Sequence, residues 1–141
     1  AALVAGLADG SIDCGVSDHA PHAAHEKDCE FEIAYFGTVG LETTLPLMLT
    51  YLVDRGTVTW QRLVEVLAVA PRRILRLAPV AVEAGSAADL TLIDPEAAVT
   101  VTPEYFESKS KNSAFLGLHL KGAASDVVIG GKRVLEAGLV R

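Results

Sequence analysis

Apolar and polar positions change period along the chain, and each change marks an expected element. Ala1 to Leu7 is an almost unbroken run of small apolar residues. It reads as the last turns of a helix, ended at Asp9-Gly10, where glycine supplies the left-handed residue common past helix C-termini. Ile12 to Val16 then reads as a short strand, apolar enough to be buried on both faces as parallel-sheet strands are. It gives way to polar residues at Ser17-Asp18. Residues Ala20 to Gly40 show no clear period and contain Pro21, Gly37 and Gly40. Connections of that length inside a compact domain are usually lids or binding loops.

Leu41, Leu45, Met48, Leu49 and Leu52 return to helical spacing. They predict a helix over roughly 41–53, which Pro46 kinks or delays, closed by Asp54-Arg55-Gly56. Thr59 is placed to cap a following helix whose apolar stripe is Leu63, Val66, Leu67 and Ala70. Pro71 suits the first turn of a further short helix, Arg72 to Leu77. From Val80 the texture becomes β-like, with short runs at Ala88–Ile93, Val99–Val101, Val127–Ile129 and Lys132–Leu135. Gly130-Gly131 is a two-residue hairpin turn signal. Glu107 to Gly117 reads as an irregular excursion, and Pro79 to Gly85 as the boundary between residues 1–79 and 80–141.

Composition narrows the classes. The chain has 141 residues, half of them hydrophobic, with a mean hydropathy of +0.35. That apolarity is high for a freestanding domain of this length and implies surface packed against further chain or a partner. No run approaches the ~20 apolar residues a membrane helix needs, so a membrane partner is not expected. A net charge of −6 argues against nucleic acid, and Lys109, Lys111 and Lys121 are too few for a basic stripe. Cys14 reads as a small core residue and Cys29 as an exposed thiol, and both suit a reducing cytoplasm. The N-terminus lacks the basic flank of a signal peptide. It begins without Met and in mid-pattern, as a segment of a longer chain would.

Candidate chemistry concentrates in "VSDHAPHAAHEK", Val16 to Lys27, which holds Asp18 and three of the four histidines. A self-contained zinc site is one reading, since zinc takes His nitrogen and Asp oxygen in fours, although Pro21 breaks the geometry that would align His22 with His25. A solvated polar loop is a second reading. The third is one corner of a larger site whose other ligands lie elsewhere.

The stretch from "DGSIDCGVSDHAPH" through "FGTVGLETTLPLMLT" resembles the end of the metal-dependent barrel in bacterial-type dihydroorotases of the amidohydrolase superfamily. The resemblance continues through "APRRILRL", "GSAADLTLID" and "SKSKNSAFLGLHLKG". It implies an α/β fold: the C-terminal part of a TIM-like (β/α)8 barrel plus a small β-sandwich-like lobe. Residues 1–79 would be the last strand, the active-site loop and the closing helices, and 80–141 the lobe. It implies the reversible cyclisation of N-carbamoyl-L-aspartate to L-dihydroorotate in de novo pyrimidine biosynthesis, with one or two Zn2+ ions.

Asp18 matches the family's last-strand aspartate, a metal ligand that also shuttles the proton. His22 matches a histidine that meets the substrate's carboxylate side. Phe36 and Gly37 match positions where the loop closes on the substrate through its backbone. The family's remaining ligands include a His-x-His pair, which this sequence lacks. The chain alone is therefore expected to be inactive and to pair with an N-terminal barrel segment. A homo-oligomer, or a complex with another pyrimidine-pathway enzyme, stays open. A hydantoinase or allantoinase, and a non-catalytic homologue serving as structural partner, are the rival readings. His19 has no assigned role beyond a structural hydrogen bond, His25 reads as surface, and His119 as a local lobe residue. Departures from the family pattern are Tyr35, Ala70 and Ala114.

Overall fold

A computed structural model describes residues 2–141. Helix α1 spans Ala2–Asp9 and ends where expected, with Gly10 at φ 90°. The run Ile12 to Val16 pairs into no sheet among the described residues, Ile12 lying in a bend and 13–16 having no regular secondary structure. A strand exists only through ladder partners, and none lies beside this run among the described residues. It is held instead by single bonds: Gly15 N–H donates to Val66 C=O (3.0 Å), and Arg62 donates to the carbonyls of Leu7 and Ile12. Cys14 is half-buried rather than in the core, and Cys29 is exposed.

The long connection is not featureless. It contains a one-turn helix α2 (Ala24–Lys27), and Thr38 forms an isolated parallel bridge to His19. Helix α3 spans Leu41–Met48 and continues as a π-helical turn, Leu49–Val53. Pro46 sits inside α3, fully buried. Its ring removes the N–H that would bond the Glu42 carbonyl four residues back. Tyr105 supplies the missing donor from the far side of the chain, its hydroxyl 2.9 Å from that carbonyl.

The next helical stretch runs without a break through α4 (Trp60–Val64), a π-helical turn (Glu65–Val69) and α5 (Ala70–Ile74). Thr59 caps it, its hydroxyl accepting Arg62 N–H at 3.1 Å. The helix expected over 72–77 thus begins and ends earlier. The π-helical turn precedes Pro71, consistent with the extra residue per turn that such bulges insert around a proline.

The C-terminal part is one antiparallel sheet in the order β1-β2-β3-β4. The strands are β1 (Leu90–Thr100), β2 (His119–Ile129), β3 (Lys132–Glu136) and β4 (Leu139–Val140). The two runs expected at 88–93 and 99–101 are one strand interrupted by a bulge between Asp94 and Ala98. Pro95, which has no N–H to give the ladder, lies in that bulge. Gly130 and Gly131, at φ 55° and 76°, turn β2 into β3 as their sequence predicted. A second sheet layer is not present among the described residues. The architecture is thus α/β, helical first and sheet last.

One apolar cluster joins the two parts. Val39, at the end of the loop, is buried with Val99, Val101, Phe106 and Leu120. Gly122 of β2 lies so close to the π-helical turn after α3 that a Cβ there would meet Leu49 Cδ1 at 2.2 Å. The sheet therefore fixes where α3 and the end of the loop sit, and through them the polar residues on the loop's N-terminal side.

Candidate active site

The polar residues from Ser17 onward take their arrangement from the loop end and from the start of α3. Asp18 takes a left-handed backbone at φ 44°, rare for a residue with a side chain and found where surrounding structure over-determines it. Its carboxylate is on the surface and has no hydrogen-bond partner among the described residues. One residue on, His19 faces inward. Its Nδ1 accepts the N–H groups of Gly40 (3.2 Å) and Leu41 (3.3 Å), two donors that the start of α3 would otherwise leave unsatisfied. The structural hydrogen bond expected of His19 is therefore a helix-start contact that also tethers the 18–20 segment to α3.

Residues 36–38 run alongside 19–22. Ala20 N–H donates to Thr38 C=O (3.0 Å). A Cβ on Gly37 would lie 2.5 Å from Ala20 Cβ and 4.0 Å from His22 Nε2. Gly37 also has φ 102°, so both its conformation and its neighbour demand glycine. The structure thus brings His22, Phe36 and Gly37 together, beside the turn that carries Asp18.

His22 is already engaged. Its Nε2 donates to Phe36 C=O at 2.8 Å, its ring stacks on Tyr35 at 5.2 Å between centroids, and its Nδ1 is 3.7 Å from Glu26 Oε2. Phe36 turns its ring outward, 91% exposed, and its contact with His22 is made by its backbone carbonyl. His25 is exposed, as is His119, whose Nδ1 lies 3.2 Å from Thr100 Oγ1.

Two residues that sequence reasoning passed over hold this loop. Lys27 Nζ donates to Tyr35 C=O (2.5 Å) and Gly37 C=O (3.1 Å). Asn112 Nδ2 donates to Gly37 C=O (3.2 Å), while Asn112 C=O accepts Val39 N–H and the Thr38 hydroxyl, both at 2.8 Å. Lys27 reads as one more charge on a solvated stretch, and no local signal distinguishes it. Asn112 lies within SKSKN, but its partner is 75 residues away, beyond any periodicity. An open cleft of about 820 Å3 lies between the two segments, lined by His22, Lys27, Asp28, Lys109, Lys111 and Asn112 among others. Its charged lining is mostly basic.

Glu42, at the start of α3, ties the lobe to the same region. Its Oε1 accepts Ser108 N–H (2.9 Å), while its Oε2 is buried without a partner. Burial and the nearby Glu42 carboxylate raise the pKa of Tyr105 above its ordinary value.

A zinc ion takes four ligands. Among the described residues no three His, Cys, Asp or Glu side chains converge as a metal would need. The described residues therefore do not make a zinc site by themselves, and Asp18 offers one free carboxylate. Nor is any described helix long and apolar enough to cross a membrane.

The fold matches about a third of the length of hydantoinase chains. The chain superposes on the L-hydantoinase (dihydropyrimidinase) from Arthrobacter aurescens with TM-score 0.91 and 35% identity, covering 99% of this chain and 32% of that one. In sequence it is similar to dihydroorotases. It is 46% identical over 135 residues to the one from Chlorobaculum tepidum, covering 96% of this chain and 31% of that protein. It is 50% identical over 136 residues to the one from Trichlorobacter lovleyi, covering 96% and 32%. The chain thus spans about a third of the length of the curated relatives it matches. No protein-family model matches it.

Proposed function

We propose that the chain is the C-terminal portion of a cytoplasmic, zinc-dependent dihydroorotase. In this reading residues 1–79 complete a (β/α)8 barrel whose earlier strands lie outside the chain, and residues 80–141 form the β-sandwich-like lobe. The run 12–16 becomes the barrel's last strand once a neighbour supplies its ladder. The observation that carries the reading is the packing of residues 19–22 against 36–38. It gathers His22, Phe36 and Gly37 beside the strained turn at Asp18, in a chain similar to dihydroorotases over nearly its whole length.

In the hydrolytic direction one water is added across a ring amide of L-dihydroorotate, its hydroxyl to the carbon and its proton to the nitrogen. Asp18, exposed and without a protein partner, takes the proton from the attacking water and returns it to the departing nitrogen. Its carboxylate would also be a metal ligand, the remaining ligands lying outside this chain. A bound zinc ion would polarise the amide carbonyl. His22, Phe36 and Gly37 hold the substrate's carboxylate side, the last two through their backbone. A hydantoinase is the second reading, favoured by the Arthrobacter aurescens superposition. The higher identity to dihydroorotases supports the first.

The test is Asp18→Asn in the full-length enzyme, with zinc content measured alongside. Loss of a general base lowers rate by roughly 10²–10⁴, so kcat should fall in that range while the protein stays folded. Turnover within about threefold of wild type refutes the assigned role. Faster hydrolysis of 5-substituted hydantoins than of L-dihydroorotate by the wild-type enzyme assigns the hydantoinase reading instead.

A further inference from the structure

Three successive backbone carbonyls of the active-site loop, those of Tyr35, Phe36 and Gly37, are all turned toward protein donors. Lys27 takes the first and third, His22 the second, and Asn112 shares the third. Such convergence on a solvent-exposed loop is not needed for folding, since water would satisfy the same oxygens. Its consequence lies on the other side of the peptide planes. With the carbonyls drawn inward, the N–H groups of Phe36 and Gly37 are left without acceptors among the described residues. The positive φ of Gly37 (102°) allows the adjacent peptide planes to present donors in this way.

We propose that Lys27 and Asn112 are positioning residues that set the direction of the Phe36-Gly37 backbone, so that its two N–H groups receive an anionic oxygen of the substrate. The proposal rests on the dihydroorotase reading above. Lys27 suits the task because an ammonium group has three donors and here spends two on carbonyls, adding its charge beside the anion. Asn112 suits it because it grips the loop with both its side-chain amide and its own carbonyl, which holds Val39 and Thr38. The SKSKN stretch thereby acquires a function: it is the point at which the sheet-bearing part of the chain holds the site.

The experiment measures Lys27→Met, Asn112→Ala and Lys27→Arg in the full-length enzyme. L-dihydroorotate serves as substrate, and hydrogen exchange is followed over residues 34–40 without substrate. A grip on the substrate equal in ground and transition states appears in KM rather than kcat. The Met and Ala variants should raise KM roughly tenfold or more with kcat within about threefold, and Arg should restore most of the loss. Exchange at Tyr35 and Val39 should quicken in the first two. If the wild type turns over and the variants keep its KM, or lose kcat alone, the proposal is overturned. If the wild type does not act on L-dihydroorotate, the functional reading fails separately. Exchange then decides: faster exchange in the variants supports the clamp, and unchanged exchange overturns it. Should Lys27→Met fail to fold, Asn112→Ala carries the same decision.

Discussion

Replacing Gly37 with alanine tests whether the loop geometry serves the substrate. Two costs arise at once. A side-chain-bearing residue held at φ 102° is strained by about 1–3 kcal/mol. The new methyl would also stand 2.5 Å from Ala20 Cβ, a methyl on backbone that cannot swing away, and overpacking of this kind costs about 1–3 kcal/mol. Together they come to about 2–6 kcal/mol. Opposing them are the hydrogen bonds that hold the 35–37 carbonyls, two from Lys27, one from Asn112 and one from His22. Neutral bonds of this type contribute about 0.5–1.5 kcal/mol each and charged ones about 1.5–3. The two sides are comparable, and the loop is on the surface. Local release is therefore favoured over global unfolding. Gly37→Ala should leave the melting temperature within a few degrees of wild type while raising KM roughly 10–100-fold. Ala20→Gly in the Gly37→Ala background removes the methyl contact but not the φ strain, and should recover about half of the loss in log KM. Steady-state kinetics beside calorimetry reads both quantities. An unaltered KM in Gly37→Ala, or no recovery on adding Ala20→Gly, would refute the reasoning.

Contacts between the helical part and the sheet set two further expected outcomes. Gly122→Ala forces a Cβ against Leu49, which is 2% exposed, at φ 87°, and should cost about 2–5 kcal/mol in urea unfolding. Leu49→Ala in the same background should offset part of that loss, and strictly additive effects would argue against the contact. Tyr105→Phe leaves the Glu42 carbonyl, which Pro46 cannot bond, without a donor, at about 1–3 kcal/mol. Because the folded pKa of Tyr105 is raised above 10.0, its contribution is full below the unfolded value and lost as pH rises through the folded one. The wild type should lose stability above about pH 10 more steeply than Tyr105→Phe, and equal slopes would contradict this.

What the sequence determined by itself was local. Helical spacing from Leu41 onward, the Thr59 cap, the Gly10 terminus and the Gly130-Gly131 hairpin arise from backbone preferences and short-range bonds, which a window of a few residues contains. The chemical cluster around Asp18 and His22 was legible for the same reason, being packed into a dozen positions. Tertiary structure alone decided the rest. Whether 12–16 is a strand depends on a neighbour that no residue within that run encodes. The use of His19 as an acceptor for the start of α3, the Tyr105 hydroxyl replacing the N–H that Pro46 lacks, and the hold of Asn112 on Gly37 link positions 21, 63 and 75 residues apart. A carbonyl or an imidazole nitrogen attracts any donor within reach, and sequence pattern does not say which donor will arrive. Only the packing of Val39 against Val99, Val101, Phe106 and Leu120, an apolar contact that spans the chain, brings those donors close enough for hydrogen bonds to select among them.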